Sequence, residues 1–269
     1  MTGDLFQKIA SIIADSEAIL IGAGAGMGVD SGLPDFRGNE GFWRAYPPFR
    51  ELGLSFVDLA NPFWFERDPN RAWGFYGHRL NLYRETRPHE GFEILRQWCK
   101  QRDHFVFTSN VDGHFQKAGF DDDRIVECHG SIGHLQCKGP CHRSIWRNRE
   151  STIVDEGTML AQGELPRCPN CESVARPNIL MFGDHGWISS RTAEQEIRYR
   201  EFIQRNLNKR LVVLEFGAGS AVPTVRFECE RMRPMLIRVN PREADVPDQQ
   251  SIGVSSGALE FVKNVDRIL

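Results

Sequence analysis

The sequence lacks long hydrophobic runs, a recognisable secretory signal and an excess of charge of one sign. Its 33 basic and 36 acidic residues give a formal net charge of −3, which provides no general attraction to nucleic acid. No apolar segment approaches the roughly 20 residues that a bilayer-spanning helix needs. The absence of a signal sequence favours a reducing compartment. These absences predict a cytoplasmic protein that binds neither nucleic acid nor membranes.

Internal repeats and low-complexity tracts are also absent from the sequence. The chain of 269 residues has 41% hydrophobic content, which is ordinary for a globular protein. A chain of this length can bury one large hydrophobic core and carry a smaller module. The acidic run Asp121 to Asp123 is interpreted as a solvated loop.

Four cysteines form two close pairs, Cys137 with Cys141 and Cys168 with Cys171. Each short turn presents two sulfurs to one side, and two such turns can complete the tetrahedron of thiolates that zinc prefers. Four protein ligands leave no open position for water or substrate, so the pattern predicts a structural Zn²⁺ site. The alternatives are a pair of disulfides, which a reducing compartment disfavours, and four unrelated thiols. The remaining cysteines are interpreted as ordinary buried thiols, namely Cys99, Cys128 and Cys229.

Short continuous apolar runs alternate with segments of helical periodicity. Leu5 to Ala14 has apolar residues at helical spacing, and Ala18 to Ile21 is an apolar run that ends in Gly22. Buried parallel strands show such runs because helices cover both faces of their sheet. The pattern predicts an α/β fold with a Rossmann-like, doubly wound parallel sheet, in which ligands bind at the carboxyl ends of the strands. Further strands are predicted at His104–Thr108, Arg124–Glu127, Leu211–Phe216 and Met235–Val239.

Two long insertions interrupt the predicted sheet. The first is rich in aromatic residues, most of which are interpreted as core, and the second contains the paired cysteines. Both leave and re-enter the sheet at strand ends, so they are expected to form a smaller zinc-binding and helical domain over the ligand edge, with a cleft between the domains. The predicted Rossmann-like domain comprises residues 1–40, 103–130 and 176–269, and the small domain comprises residues 41–102 and 131–175.

The first predicted strand runs into a glycine-rich turn, Gly22 to Gly28. Glycines at the start of a helix let main-chain N–H groups approach a pyrophosphate without obstruction by side chains. The spacing does not match the strict dinucleotide-binding pattern, because Met27 occupies the position of its last glycine. Taken alone, this turn gives only weak support for a nucleotide site.

The continuation of this turn resembles a known family signature. Residues 24–37 read GAGMGVDSGLPDFR, which is similar to the signature of sirtuins, the NAD-dependent protein lysine deacylases. The resemblance covers nearly the whole chain and implies an NAD-dependent deacylase with a Rossmann-like fold and a structural zinc ion. Further segments that agree with the family, in the same order, are TSNVD at 108–112, ECHGS at 127–131, the cysteine pairs, RPNILMFGD at 176–184, GAGS at 217–220 and VN at 239–240.

The resemblance implies roles for individual residues. His129 would act as the general base, and Asn110 would order the ribose or a water. Phe182 and Gly183 would line the groove for a peptide that carries an acylated lysine. Free lysine, nicotinamide and O-acyl-ADP-ribose would be the products. The implied NAD-binding residues are Gly24, Ala25, Gly26, Gly28, Asp35, Phe36, Arg37, Ser109, Asn110, Asp112, Gly217, Ser220 and Asn240.

Tyr76 and Arg79 have the Tyr-x-x-Arg spacing that resembles the sirtuin branch that removes succinyl and malonyl groups. Residues three apart share a helix face, so a phenol and a guanidinium could together bind the carboxylate of an acidic acyl group. The alternative is an aromatic core residue beside a solvated arginine. The sequence therefore predicts a deacetylase, with desuccinylase or demalonylase activity open beside it.

The sequence departs from the family pattern in four places, one of which is a pair of residues. Gly28 stands where the family usually has Ser or Thr, and Ser109 replaces a Gln, whose ribose contact Ser is too short to make. These two departures keep open a protein ADP-ribosyltransferase or NAD glycohydrolase; a non-catalytic sensor of NAD or ADP-ribose is a third reading. The other two departures are His114-Phe115 in place of a Leu-His pair and Asp184 in place of Glu.

Three of the predicted site residues also have purely structural interpretations. His129 could be a hydrogen-bonding residue of a loop. Asp112 could cap a helix that Gly113 to Ala118 would open. Arg37 could form a surface salt bridge.

Overall fold

The strands form one large sheet and two small ones. A computed structural model describes residues 2–35, 38–232 and 235–269. Every predicted strand is present in these ranges and begins within one residue of its predicted start. The strands are β1 (Ala18–Ala23), β2 (Asp103–Thr108), β3 (Ile125–Glu127), β4 (Gly130–Cys137), β5 (Trp146–Arg147), β6 (Ile153–Asp155), β7 (Leu160–Gln162), β8 (Ala175–Ile179), β9 (Leu211–Phe216), β10 (Leu236–Val239) and β11 (Ile252–Val254).

Helices cover the large sheet and make up most of the first insertion. None of the helices in the described ranges combines the length and the hydropathy that a bilayer-spanning segment requires. Two 3-10 helices, Ala25–Ser31 and Asp122–Arg124, follow β1 and precede β3. The α-helices are α1 (Thr2–Ala14), α2 (Gly38–Ala45), α3 (Pro47–Glu51), α4 (Phe56–Leu59), α5 (Trp64–Arg67), α6 (Pro69–Glu85), α7 (Glu90–Cys99), α8 (His114–Lys117), α9 (Ser190–Asn206), α10 (Thr224–Arg231) and α11 (Ala258–Asp266).

The large sheet has the order β11-β10-β9-β1-β2-β3, and all of its strand pairs are parallel. The chain proceeds from β1 to one edge of the sheet, then returns to the other side of β1 and proceeds to the opposite edge. This reversal places a crevice beyond the carboxyl ends of β1 and β9, where ligands bind in open α/β sheets. The structure confirms the predicted Rossmann-like class. The short strand β11 was not predicted, because only Ile252 and Val254 in it are buried apolar residues.

Two layers of helices bury the sheet. On one face, α1, α7 and α11 pack on β1, β9 and β10 through a cluster that includes Ile13, Phe92 and Phe261. On the other face, α9 and α10 pack through Phe202 and Val225. Continuous apolar strands are stable only when both faces are covered in this way.

A third hydrophobic cluster holds the rest of the chain together. Aromatic side chains from α2 to α6 pack there against β4, β8 and the hairpin of β6 with β7. Trp73 and Phe75 are fully buried, whereas Phe63 is exposed, so most of the aromatic residues are core, as predicted. Helix α7 packs with the sheet through Phe92 and Leu95. The division into domains stays a prediction, and this packing argues for placing its boundary before α7 rather than at residue 102.

Candidate functional site

A cavity of about 600 Å³ opens beyond the carboxyl ends of β1, β2 and β9, between the sheet and the aromatic cluster. Phe36 and Arg37 lie outside the described residues. Gly26, Gly28, Gly183, Ser220 and Asn240 are near the cleft in sequence but do not line it. The predicted site residues that line the cavity are Gly24, Ala25, Asp35, Tyr76, Arg79, Ser109, Asn110, Asp112, His129, Phe182 and Gly217.

Gly24, Gly26 and Gly217 form a glycine crossing, where the loop after β1 passes the loop after β9. A Cβ atom on Gly24 would lie 2.7 Å from the Cα of Ala218, and one on Gly26 would lie 2.6 Å from the Cα of Gly217. Gly26 donates its N–H to the Gly217 carbonyl at 3.1 Å. Gly217 also has a φ of 57°, which favours glycine. The glycines therefore let two loops touch, and the crossing forms a smooth main-chain surface at the switch point.

Two predicted cofactor residues have mainly structural contacts. Asn240 is fully buried, and its amide donates to the Ala218 carbonyl at 3.0 Å while its oxygen accepts the N–H groups of Arg242 and Glu243. The N–H of Ser220 donates to Glu243 Oε2 at 2.8 Å. These bonds fix the loop after β9, and direct contact of either residue with a ligand stays a prediction.

Asn110 lies just after β2 and joins the loops of two strands. Its side-chain amide donates to the Gly24 carbonyl at 2.9 Å, and its own N–H donates to the hydroxyl of Thr108 at 3.0 Å. Thr108 in turn donates to the Ala23 carbonyl at 2.8 Å. Asn110 is therefore held rigidly in the cleft wall, directly beside the glycine crossing.

Asp112 follows in the same loop and is partly accessible from the cleft. Burial of its carboxyl raises the pKa to about 6, although a hydrogen bond from the His114 N–H and the charges of Arg79 and Lys117 act in the opposite direction. The bond from His114 measures 2.9 Å, and His114 is the first residue of α8. The structural interpretation is thus correct in part, since Asp112 accepts a helix-start N–H while it lines the cavity.

His129 lies between β3 and β4, on the same wall. Its carbonyl accepts the N–H of Leu180 at 2.9 Å, and its Nε2 is 3.3 Å from the hydroxyl of Thr224. Burial lowers the pKa of the imidazole, so the ring is neutral at pH 7 and can accept a proton. Gly130 has a φ of 79°, and a Cβ there would lie 2.1 Å from the Asn178 carbonyl. A glycine after His129 is therefore needed to bring the ring into the cleft.

Tyr76, Arg79 and Tyr83 form a tyrosine–arginine cluster at the other end of the cavity. All three are buried residues of α6 and line the cleft. Within the described part of the chain, the Tyr76 hydroxyl is buried and has no hydrogen-bond partner. Burial raises its pKa to about 12, so it remains a proton donor. A buried hydroxyl without a partner is costly, and a ligand acceptor in the cleft would remove that cost.

The segment after β8 forms the outer lip of the cleft. Phe182 is 38% exposed, and its N–H donates to the Ala60 carbonyl at 2.9 Å. The buried guanidinium of Arg176 pairs with Asp184, which also accepts the N–H groups of Met181 and Gly186. Asp184 thus fixes the main chain of the lip, while the Phe182 ring remains accessible to solvent.

The four paired cysteines come together at the end of β4. Their sulfurs all lie within 4.8 Å of one another, with 3.7 Å between Cys137 and Cys171 and 3.6 Å between Cys141 and Cys168. A tetrahedron with Zn–S bonds of about 2.3 Å has edges of about 3.8 Å, whereas a disulfide needs about 2.05 Å. The cluster fits Zn²⁺, and its sulfur separations do not fit the disulfide alternative.

Sequence reasoning did not identify several residues of the cleft. Tyr83 could have been found, because it lies one helical turn after Arg79 on the same face. Thr224 gave no signal, since only the fold brings it to His129. The apolar wall was also missed and includes Leu33, Phe56, Val57, Ala60, Val111 and Met181.

Comparisons with known proteins agree with this geometry. Residues 24–202 match the Sir2 family. An NAD-dependent protein deacylase of Leptospira interrogans serogroup Icterohaemorrhagiae serovar copenhageni is 33% identical over 90% of this chain and 84% of the relative. An NAD-dependent protein deacylase of Aeropyrum pernix is 26% identical over 97% of this chain and 96% of the relative.

A solved structure has the same fold. The crystal structure of a Sir2 homolog–NAD complex superposes with a TM-score of 0.73 over 97% of this chain and 92% of that chain, at 22% sequence identity. At this identity the likeness concerns the fold.

Proposed function

The chain belongs to the Sir2 family, and from that premise we propose that it is an NAD-dependent protein lysine deacylase. The observation that carries the proposal is the convergence of Asn110, Asp112 and His129 on one cavity at the switch point of the sheet. Two strand ends, those of β2 and β3, supply these side chains, and two more, those of β1 and β9, supply the glycine crossing. A cleft of this kind can take a dinucleotide from one side and an extended peptide from the other.

The glycine crossing and the loop after β2 fit NAD. Gly24 and Gly217 line the cavity, and their main-chain atoms provide a surface that a pyrophosphate can approach. An ionised Asp112 can accept hydrogen bonds from a carboxamide, and its pKa of about 6 leaves it mainly ionised at pH 7. When bound, NAD supplies the ribose carbon that accepts the acyl oxygen as nicotinamide leaves.

His129 is the proposed general base. Its neutral imidazole can take a proton from a sugar hydroxyl and return it later in the reaction. The Thr224 hydroxyl, 3.3 Å away, can hold the ring in place. Asn110 keeps the adjacent loop fixed through its bond to Gly24, so that the ring and the crossing stay in register.

Incubation with NAD and an acetylated peptide tests this function. Peptide-dependent release of nicotinamide together with O-acyl-ADP-ribose, read by mass spectrometry, is the expected result. Nicotinamide release without peptide would instead identify an NAD glycohydrolase, and a gain of ADP-ribose mass on protein would identify a transferase. NAD binding without any turnover would identify a sensor.

The tyrosine–arginine cluster favours acyl groups that end in a carboxylate. A succinyl or malonyl carboxylate could accept from the Tyr76 hydroxyl, which has no partner among the described residues. It could also accept from the guanidinium of Arg79, a buried residue that lines the cavity. Charge-assisted bonds of this type are short and directional. The buried aromatic surroundings strengthen them, because little water competes there.

Arg79→Met tests the acyl preference. We expect kcat/KM for a succinylated peptide to fall about 100-fold, the equivalent of two strong charge-assisted bonds, while deacetylation falls much less. Arg87→Met is the matched control. Arg87 is exposed, and its substitution removes the same charge outside the cleft. An equal loss on both peptides would exclude a carboxylate site at Arg79.

A cytoplasmic location stays a prediction, and the zinc ligand set favours it. The four cysteines are unbridged thiols, and such clusters keep their metal in a reducing compartment. The protein partner is proposed to be any accessible protein segment with an acylated lysine, since main-chain contacts in the groove select little for sequence.

A further inference from the structure

Tyr83 and Arg79 are joined inside the cleft by two hydrogen bonds. Arg79 Nε donates to the Tyr83 hydroxyl oxygen at 3.0 Å, and Nη2 donates to the same oxygen at 2.8 Å. The two residues are one helical turn apart on α6. Tyr83 is 5% exposed, and burial raises the pKa of its phenol, which therefore stays protonated. One neutral oxygen thus holds one whole edge of a buried guanidinium.

Aromatic rings fix the plane of the same guanidinium. Its central carbon lies 5.2 Å from the ring centre of Phe75, 5.4 Å from that of Tyr83, 5.8 Å from that of Phe56 and 5.9 Å from that of Tyr76. Contacts on the ring faces hold a guanidinium without using its in-plane N–H groups. The rings therefore set the tilt of Arg79, and its two bonds to the Tyr83 oxygen fix how it turns within its plane.

Arginine loses up to about 2 kcal/mol of rotamer freedom when it is fixed. A ligand that had to fix Arg79 by itself would bind more weakly by part of that amount. The bonds to Tyr83 fix the side chain before any ligand arrives. They occupy the Nε and Nη2 edge, so that a planar carboxylate meets the guanidinium along its other edge, beside the Tyr76 hydroxyl.

We propose that Tyr83 is a positioning residue that orients Arg79 for acyl groups ending in a carboxylate. This inference rests on the proposed carboxylate site of the deacylase. It gives Tyr83 a role that differs from those of Tyr76 and Arg79, because the Tyr83 oxygen accepts from Arg79 and need not touch the acyl group.

Tyr83→Phe tests the inference, because it removes the oxygen and keeps the ring. The measurements are kcat and KM with succinylated and acetylated forms of one peptide, and Kd of the labelled succinyl peptide by fluorescence anisotropy. We expect a KM and a Kd about ten-fold higher for the succinyl peptide, and a succinyl-to-acetyl ratio of kcat/KM that falls by the same factor. In an Arg79→Met background, Tyr83→Phe should change the ratio no further.

Tyr199→Phe is the matched control. It removes another buried tyrosine hydroxyl, bonded to Glu228 at 2.6 Å on α10 and remote from the cleft lining. It should lower the melting temperature without changing the ratio. An equal loss on both peptides by Tyr83→Phe, or an unchanged ratio where Arg79→Met collapses it, would overturn the role of Tyr83 and leave the carboxylate site standing. An unchanged ratio in Arg79→Met itself would overturn both.

Discussion

The glycine crossing and the tyrosine–arginine cluster lie at opposite ends of one cleft and are built from different parts of the polypeptide. At the crossing, main-chain atoms of two loops touch, and a Cβ on Gly26 would approach Gly217 to 2.6 Å. The cluster instead consists of side chains from one helix, α6. Its buried Tyr76 hydroxyl has no hydrogen-bond partner among the described residues. A main-chain surface has no side chain whose exchange would change its ligand preference, whereas a side-chain cluster has several. The nucleotide end is thus expected to stay constant while the acyl end adapts.

His129 stands between the two ends, and its removal is expected to have the largest effect. His129→Ala should lower kcat by about 10²- to 10⁴-fold, the usual contribution of a general base. NAD affinity, measured by titration calorimetry, should stay close to that of the wild type, because the crossing is intact. His185→Ala, at an exposed histidine, is the control. A large loss of NAD affinity in His129→Ala would mean that the two ends are not separable.

Zinc removal is expected to disturb the acyl side before the nucleotide side. Strand β4 runs from Gly130, next to His129, to Cys137 of the four-cysteine cluster, and β8 leads from this cluster to the lip of the cleft. Chelation should release zinc in proportion to the protein and lower the melting temperature. As the chelator concentration increases, KM for the peptide should rise before Kd for NAD does. If peptide binding and NAD binding are lost together, the four-cysteine cluster supports the whole molecule.

Gly26→Ala should damage the nucleotide end alone. The added methyl overlaps Gly217, and overpacking of this kind costs about 1–3 kcal/mol, so the free energy of unfolding and the NAD affinity should both fall. Gly219→Ala is the matched control in the facing loop, because a Cβ there meets nothing within 4 Å. Urea denaturation and calorimetry provide the measurements. Equal effects of the two changes would contradict the interpretation of the crossing.

The same contrast explains what could be predicted from the sequence. Buried parallel strands are continuous apolar runs, so the first residues of β1 and β9 were predicted correctly. Cysteine spacing predicted the zinc ligands because both pairs are local. The glycine-rich turn predicted a nucleotide loop, but its glycines also serve a contact with Gly217, almost 200 residues away in the chain, for which no local pattern exists. Tertiary contacts of this kind could not be predicted from the sequence.

Single residues show the same limit at the acyl end. The spacing of Tyr76 and Arg79 predicted that they share a face, and the structure places both in the cleft. The partner of Arg79 was not predicted, because a buried tyrosine at position 83 reads equally well as core. Asn240 is the opposite case. The resemblance implied a ligand contact, whereas its side chain is committed to the loop after β9.

Asp112 lines the cleft that the two ends share. The pH dependence of stability that its ionisation causes is the smallest effect that we predict. Burial raises its pKa to about 6 in the folded protein, above the ordinary 3.8, so the folded state binds the proton more tightly than the unfolded state. The resulting stability is complete below the ordinary pKa and is lost as the pH rises through about 6. Denaturation between pH 4 and pH 7 should show this loss in the wild type and not in Asp112→Asn, with the exposed Asp123→Asn as control. Over the same range kcat/KM for NAD should rise, because the carboxylate form is the one that accepts the carboxamide. If the wild-type stability rises with pH while that of Asp112→Asn stays constant, the carboxyl has a folded pKa below its ordinary value. The pH dependence of NAD use could then not be assigned to Asp112.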